Sequence, residues 1–141
     1  LASMILDMKT ILVAVDFSAV TNGVLKAACA LAKRVEGSLV LLHVVEPPVV
    51  IDVYGLGQEV LAEASAASER ISTRRLRQLM QRCQRGGVAA RAVQQSGKPE
   101  REIVATARRL GAAYIVIGTH GHGAAYDLIV GSTTNGVLRK A

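Results

Sequence analysis

The sequence has few aromatic side chains, and this limits how its core can be built. Of 141 residues, one is phenylalanine, three are tyrosine and none is tryptophan, whereas half are hydrophobic. We therefore expect a core of valine, isoleucine, leucine and alanine. A chain of this length buries enough apolar surface to need neither disulfides nor a metal for stability. We expect a single domain over 1–141, with residues 1–8 either disordered or foreign to the natural chain.

Cysteines are also few, and CxxC spacing is absent. Cys29 and Cys83 each fall on the apolar side of a predicted helix. We interpret them as buried thiols and not as metal ligands or a redox pair. The N-terminal residues lack the basic leader and cleavage site of a signal peptide, and no apolar run reaches membrane length. We therefore expect a cytoplasmic protein that does not associate with a membrane.

The charge is unbalanced, with a formal net charge of +6. Much of the excess lies in one predicted helix, at Arg70, Arg74, Arg75, Arg77, Arg82 and Arg85. A nucleic-acid interface would combine such a face with stacking aromatics or a reading motif, and the sequence has neither. These arginines are interpreted as a solvated helix face, and we expect no specific nucleic-acid partner.

Apolar runs alternate with helical patterns along the whole chain. Strands are predicted at 10–15, 38–45, 88–96 and 113–118, and helices at 22–36, 58–85 and 99–110. The runs "TILVAV" and "SLVLLHVV" are continuously apolar, as in parallel strands covered on both faces. The third strand alternates and is expected near a sheet edge. The fold class is therefore α/β, a Rossmann-like open parallel sheet with helices on both faces. A final strand to cover the edge of strand four is missing from the sequence.

In the long helix at 58–85, one set of small and apolar residues recurs at helical spacing and is expected to face the core. The set is Leu61, Ala64, Ser68, Ile71, Leu76, Leu79 and Cys83.

Five of the thirteen glycines lie between Gly118 and Gly136, in "GTHGHGAAYDLIVGSTTNG", directly after strand four. Ligands of open parallel sheets bind beyond the carboxyl ends of the strands, where the strand order reverses. The second half of the stretch, "GSTTNG", opens a predicted helix, whose free N–H groups and positive dipole end favour an anion. The pattern favours a ligand that carries phosphate.

The spacing of these glycines resembles one family. Gly118-x-x-Gly121, nine residues and then Gly131-Ser132 is similar to the G-2x-G-9x-G-S/T pattern of the universal stress protein family. "VAVDFS", "LLHVV" and "GTHG" resemble landmarks of that family in the same order. The resemblance implies a fold like that of the adenine nucleotide alpha hydrolases and an adenine nucleotide site. The implied site residues are Val15, Asp16, Val44, Ile117, Gly118, His120, Gly121, Gly131, Ser132, Thr133 and Thr134.

The resemblance also implies roles. Asp16 would hold the ribose or adenine side of ATP, and the backbone of Val44 would read the adenine edge. The glycines, His120 and the hydroxyl residues would contact ribose and phosphates. Magnesium or manganese would accompany the phosphates. The family further implies a homodimer, often paired through the missing last strand, and a role as a stress-response regulator. From the glycine content we hypothesise that nucleotide orders the loop from Gly118 to Gly131 and that a partner protein senses this ordered surface.

Two positions depart from the family pattern. After "HG" the family usually carries arginine or lysine, where this chain has His122. Farther into the spacer, Asp127 stands where a second basic residue is common. Both changes weaken the site for the outer phosphates, so ADP or AMP could replace ATP.

Other interpretations stay open for single residues. Asp16 could serve only as a turn residue at a strand end, and Ser18 is expected to cap the first helix. His43, inside a buried strand, is expected to be a hydrogen-bonded core histidine.

Other functions also stay open. An interaction module of the same fold that binds no nucleotide is the main alternative. An enzyme of another Rossmann-like class is disfavoured, because GxGxxG after strand one and the Walker motif GxxxxGK[ST] are both absent. We expect no enzyme, although slow ATP hydrolysis stays open.

Overall fold

A computed structural model describes residues 8–47, 55, 57–118 and 137. The strands are β1 (Thr10–Ala14), β2 (Ser38–Val45), β3 (Ala90–Ser96) and β4 (Tyr114–Val116). The helices are α1 (Thr21–Val35), α2 (Gly57–Arg85) and α3 (Pro99–Leu110). The predicted order of strands and helices is confirmed, and the bounds of β2 match the prediction. The observed β1, β3 and β4 are each shorter than predicted.

The four strands form one parallel sheet in the order β3-β2-β1-β4. From β1 the chain moves outward through β2 to β3, and then returns past both to place β4 on the other side of β1. The strand order therefore reverses between β1 and β4. The third strand lies at a sheet edge, as its alternating pattern predicted.

Helices cover both faces of the sheet, because alternate residues of the central strands point to opposite sides. Ile11 and Val13 of β1 pack in a core with α1 and α2, whereas Leu12 packs in a second core with α3. Val137, from the predicted last helix, is helical and buried in the second core. The α/β class with helices on both faces is thus confirmed.

The predicted core stripe of α2 is wrong for most of its first half. Ala64 and Ser68 are exposed, and Ile71 is 59% exposed, whereas Leu76 and Cys83 are buried. The reason is the position of these residues around the helix. With about 3.6 residues per turn, Ile71 lies about 140° around α2 from Leu76, and Ala64 lies on the same side as Ile71. Leu76 and Cys83, by contrast, lie within about 20° of each other. The predicted stripe therefore changes side between Ile71 and Leu76, and only its second half faces the core.

The basic residues of α2 are exposed, as predicted for a solvated face. The guanidinium of Arg82 donates a hydrogen bond to Asn22 Oδ1 of α1 at 3.1 Å. One arginine therefore links the two helices that cover this face of the sheet.

The two cysteines meet across the same helix pair. Cys29 of α1 and Cys83 of α2 place their sulfur atoms 3.5 Å apart, and both thiols are free. Cys83 is buried, as predicted, while Cys29 is only partly buried. The sequence did not suggest this contact, because the residues are 54 positions apart and lack any recognised cysteine spacing.

Candidate functional site

The carboxyl ends of β1, β2 and β4 bring together five residues predicted for the site. Ala14 pairs with Leu42, so two residues further along Asp16 is level with Val44. Val13 pairs with Val116, so two residues further along Val15 is level with Gly118. Ile117 lies between Val116 and Gly118. These residues therefore converge where the strand order reverses, which is the position at which open parallel sheets bind ligands.

The floor of this region is apolar and its rim is polar. Val44 and Ile117 are half-buried against the second core, whereas the side chain of Val15 is buried in the first core on the other face of the sheet. Asp16 and Gly118 follow them as half-buried residues at the strand ends. An apolar floor with a carboxylate beside it can hold an aromatic base and a hydroxyl-bearing sugar.

Asp16 shapes the turn that follows β1. Its Oδ1 accepts a hydrogen bond from the backbone N–H of Ser18 at 2.9 Å, which closes a turn of the kind that aspartate favours. Asp16 is therefore part of the turn, and its role in ligand binding stays a prediction. The turn bond does not exclude such a role, because a carboxylate has two oxygens and several acceptor positions.

Ser18 does not cap helix α1, contrary to the prediction. The N-cap residue is Val20, and no side-chain hydrogen bond caps the helix. The Ser18 carbonyl instead accepts from the N–H of Thr21 at 3.1 Å. Within the described part of the chain, Ser18 Oγ and Thr21 Oγ1 are buried without a hydrogen-bond partner. Two hydroxyl groups beside the Asp16 turn therefore keep unused hydrogen-bonding capacity.

Phe17 lies at the centre of a stack that sequence reasoning missed. Its backbone φ is 60°, in the left-handed region that a bulky side chain rarely adopts. Its ring contacts the His43 ring at a centroid distance of 4.5 Å, and the Arg75 guanidinium lies 4.5 Å from its centroid. The only hint in the sequence was the phenylalanine itself, the single one in the chain.

His43 ties this stack to the strand ends. Its Nδ1 lies 2.9 Å from the carbonyl oxygen of Val15. The expected hydrogen bond is thus confirmed, although His43 is only half-buried and not a core residue. Val15 in turn donates its N–H to the carbonyl of Leu42 at 2.9 Å. The backbone just before Asp16 is therefore held from both β2 and the histidine ring.

The phosphate side of the predicted site lies outside the described residues. This applies to His120, Gly121, Gly131, Ser132, Thr133 and Thr134, and to the departures His122 and Asp127. Their roles stay predictions.

The described residues contain no group of three or more His, Cys, Asp or Glu side chains that could hold a metal ion. In this part of the chain, no helix combines the length and apolarity needed to cross a membrane.

Comparison with known proteins adds to this geometry. The sequence model of the Universal stress protein family matches residues 8–141. No curated protein matches the chain at a significant level. Universal stress protein UspA from Lactobacillus plantarum is 27% identical, with a TM-score of 0.81 over 94% of this chain and 92% of its own.

Two more distant structures share the fold and contain nucleotides. A universal stress protein in complex with cAMP is 19% identical, with a TM-score of 0.66 over 95% of this chain and 91% of its own. The universal stress protein from Archaeoglobus fulgidus in complex with dAMP is 23% identical, with a TM-score of 0.63 over 94% of this chain and 91% of its own.

Proposed function

The chain belongs to the universal stress protein family, and we propose that it binds an adenine nucleotide where β1 and β4 diverge. The base lies over Val44 and Ile117 next to the backbone of Val15, and the Asp16 carboxylate accepts hydrogen bonds from ribose hydroxyls. Nucleotide binding then changes the surface that a regulatory partner contacts. The protein acts in this proposal as a cytoplasmic stress-response regulator and homodimer, and not as an enzyme.

The main support for this proposal is the strand register. Val15 is level with Gly118 and Asp16 is level with Val44, at the point where the strand order reverses. An apolar floor beside a carboxylate suits adenosine, because the base is flat and weakly polar while the ribose offers two hydroxyl donors. Two structures of the same fold are complexes with cAMP and with dAMP, which supports an adenine nucleotide as the ligand class.

For the phosphates we propose Gly118, His120, Gly121, Gly131, Ser132, Thr133 and Thr134. Backbone N–H groups exposed by glycine and the start of a helix favour anions. His122 and Asp127 replace the basic residues that the family usually carries, so the chain would bind AMP or ADP at least as readily as ATP. A magnesium or manganese ion would be held by the phosphates, since the described residues offer no carboxylate cluster of their own.

Mass spectrometry of small molecules released from the protein tests the proposal. The protein is purified without added nucleotide, denatured, and the released fraction is quantified against standards of AMP, ADP, ATP and cAMP. We expect an adenine nucleotide in a substantial fraction of the molecules, or its uptake when the protein is dialysed against millimolar AMP.

Asp16→Ala serves as the site variant, and Glu36→Gln, at the opposite end of α1, as the charge control. We expect the site variant to lose most of the nucleotide and the control to keep it. Failure of the wild-type chain both to retain and to take up any adenine nucleotide would instead favour an interaction module of this fold.

A further inference from the structure

A second site for chemistry lies away from the strand ends, between helices α1 and α2. The sulfur atoms of Cys29 and Cys83 are 3.5 Å apart and share one S–H···S contact. A disulfide bond is about 2.05 Å long, so closing the bond requires the two sulfurs to approach by about 1.5 Å. We expect rotamer adjustment and a small shift of the helices to allow a movement of this size.

The two thiols differ in exposure. Cys29 is partly exposed, whereas Cys83 is buried and 4% exposed. We therefore expect a dissolved oxidant to react first with Cys29, with Cys83 next to it as a second, less accessible thiol. This is the arrangement of an attacking cysteine and a resolving cysteine in a two-thiol site.

We propose that Cys29 and Cys83 form a thiol pair that hydroperoxides oxidise to an intrachain disulfide joining α1 to α2. In the first step, the thiolate of Cys29 attacks one oxygen of hydrogen peroxide. An S–O bond forms, the O–O bond breaks, and the leaving hydroxide takes up the thiol proton as water. Cys29 becomes a sulfenic acid.

In the second step, the sulfur of Cys83 attacks the sulfur of Cys29. The S–S bond forms, the S–O bond breaks, and the leaving hydroxide takes the proton of Cys83 to give a second water. In total, two thiols and one peroxide yield one disulfide and two waters. The two thiols are oxidised and the peroxide is reduced, so no other co-reactant is needed.

The surroundings of Cys83 explain why it would react with the sulfenic acid of Cys29 and not directly with peroxide. Burial raises the pKa of its thiol to about 12, with the contact to Cys29 adding to the increase and the Arg82 charge opposing it. At neutral pH it stays a thiol and reacts slowly with a dissolved oxidant. Direct contact with Cys29 compensates for this low reactivity, because the sulfenic acid forms next to the buried thiol.

The resulting bond would join two helices that both lie close to the turn at the carboxyl end of β1. Helix α1 follows the Asp16 turn, and Arg75 of α2 contacts Phe17 in that turn. The thiol chemistry does not depend on nucleotide binding, so the proposed thiol site and the proposed function are tested independently.

Tryptic mapping without reduction gives a direct test. The reduced full-length chain is treated with a small excess of hydrogen peroxide, and free thiols are then alkylated before digestion. Cleavage at the flanking lysines and arginines gives "AACALAK" (27–33) and "CQR" (83–85). We expect these two peptides joined by a disulfide, an intact mass lower by two hydrogen atoms, and a monomer band on a non-reducing gel.

Two matched variants separate the roles of the cysteines. In Cys83→Ser the sulfenic acid of Cys29 has no resolving partner, so its labelling by dimedone rises on the order of ten-fold over the wild type. In Cys29→Ser the buried Cys83 stays unmodified at the same peroxide dose. If either variant fails to fold, the alkylation rates of the wild-type thiols before and after peroxide provide the same information.

The inference is overturned if peroxide converts Cys29 to sulfinic acid in the wild type with no linked peptide. It is also overturned if the disulfide forms only between separate chains, which a dimer band on the non-reducing gel would reveal. Equal dimedone labelling in the wild type and Cys83→Ser would show that Cys83 does not resolve the intermediate.

Discussion

Substitution of Asp16 separates its part in the turn from its proposed part in ligand binding. In the wild type, the Ser18 backbone N–H donates to Asp16 Oδ1 at 2.9 Å. Asp16→Asn keeps a side-chain oxygen that can accept this hydrogen bond but removes the negative charge. Asp16→Ala removes both the acceptor and the charge. The two variants therefore affect the turn unequally, while both weaken any bond between a carboxylate and ribose hydroxyls.

The magnitudes follow from the bonds involved. A hydrogen bond to a charged group contributes about 1.5–3 kcal/mol and a neutral one about 0.5–1.5 kcal/mol. Asp16 is half-buried, so we expect Asp16→Ala to lower the free energy of unfolding by about 1–2 kcal/mol. Asp16→Asn should cost about 0.5–1 kcal/mol. For nucleotide affinity, the loss of charge in Asp16→Asn corresponds to about a ten-fold weaker Kd, and Asp16→Ala to about 10–150-fold.

Chemical denaturation gives the stabilities, and anisotropy of a fluorescent AMP analogue with competition by unlabelled nucleotide gives the affinities. Glu36→Gln is the matched control, because it removes one negative charge about 22 Å away along α1. It should bind nucleotide within about twofold of the wild type. Binding of both Asp16 variants within the same twofold range, with stability lowered as above, would refute a ligand role and leave Asp16 as a turn residue only.

Three further predictions concern the core, one glycine and one thiol. Leu41→Ala removes a side chain that is 0% exposed and should cost about 2–5 kcal/mol in denaturant unfolding. Ile71→Ala on the exposed part of α2 should change it by about 0.5 kcal/mol or less, and an equal loss at both positions would contradict the observed packing of α2. Gly37→Ala would place a Cβ 2.8 Å from the Lys9 carbonyl oxygen and should cost about 1–3 kcal/mol, whereas an unchanged midpoint would contradict the close approach. Burial raises the pKa of the Cys83 thiol from its ordinary value of 9.0 to about 12 in the folded chain. The contribution of this thiol to the free energy of unfolding is therefore complete below pH 9 and is lost as pH rises toward 12. The wild type should therefore lose about 1.4 kcal/mol per pH unit relative to Cys83→Ala above pH 9, and parallel pH profiles would contradict the burial of this thiol.

Much of the fold could be predicted because the sheet is buried on both faces. Continuous apolar runs such as "SLVLLHVV" have few alternatives to a central parallel strand, and the alternating third run predicted an edge. The predicted stripe of α2 was wrong at Ile71, which is exposed. Ile71 lies about 140° around the helix from the buried Leu76, so the stripe combined residues from two sides of α2. In a long helix with scattered apolar residues, spacing alone did not show which side faces the core.

Part of the candidate site was also predictable, since residues that end parallel strands meet at one edge. This placed Asp16, Val44 and Gly118 together before any register was known. The stack of Arg75, Phe17 and His43 was not predictable, because it depends on a left-handed backbone and on contacts between distant elements. The contact of Cys29 with Cys83 was missed for the same reason: it depends on how two helices pack, which spacing along the chain does not encode.

Residue-resolved amide hydrogen exchange, with and without saturating AMP, shows whether an adenine nucleotide binds where β1 and β4 diverge. We expect slower exchange in residues 15–18 and 117–118, with no change at Gly86 and Gly87 in the turn that closes α2. Unchanged exchange at 15–18 and 117–118 under saturation, or protection confined to other segments, would contradict it.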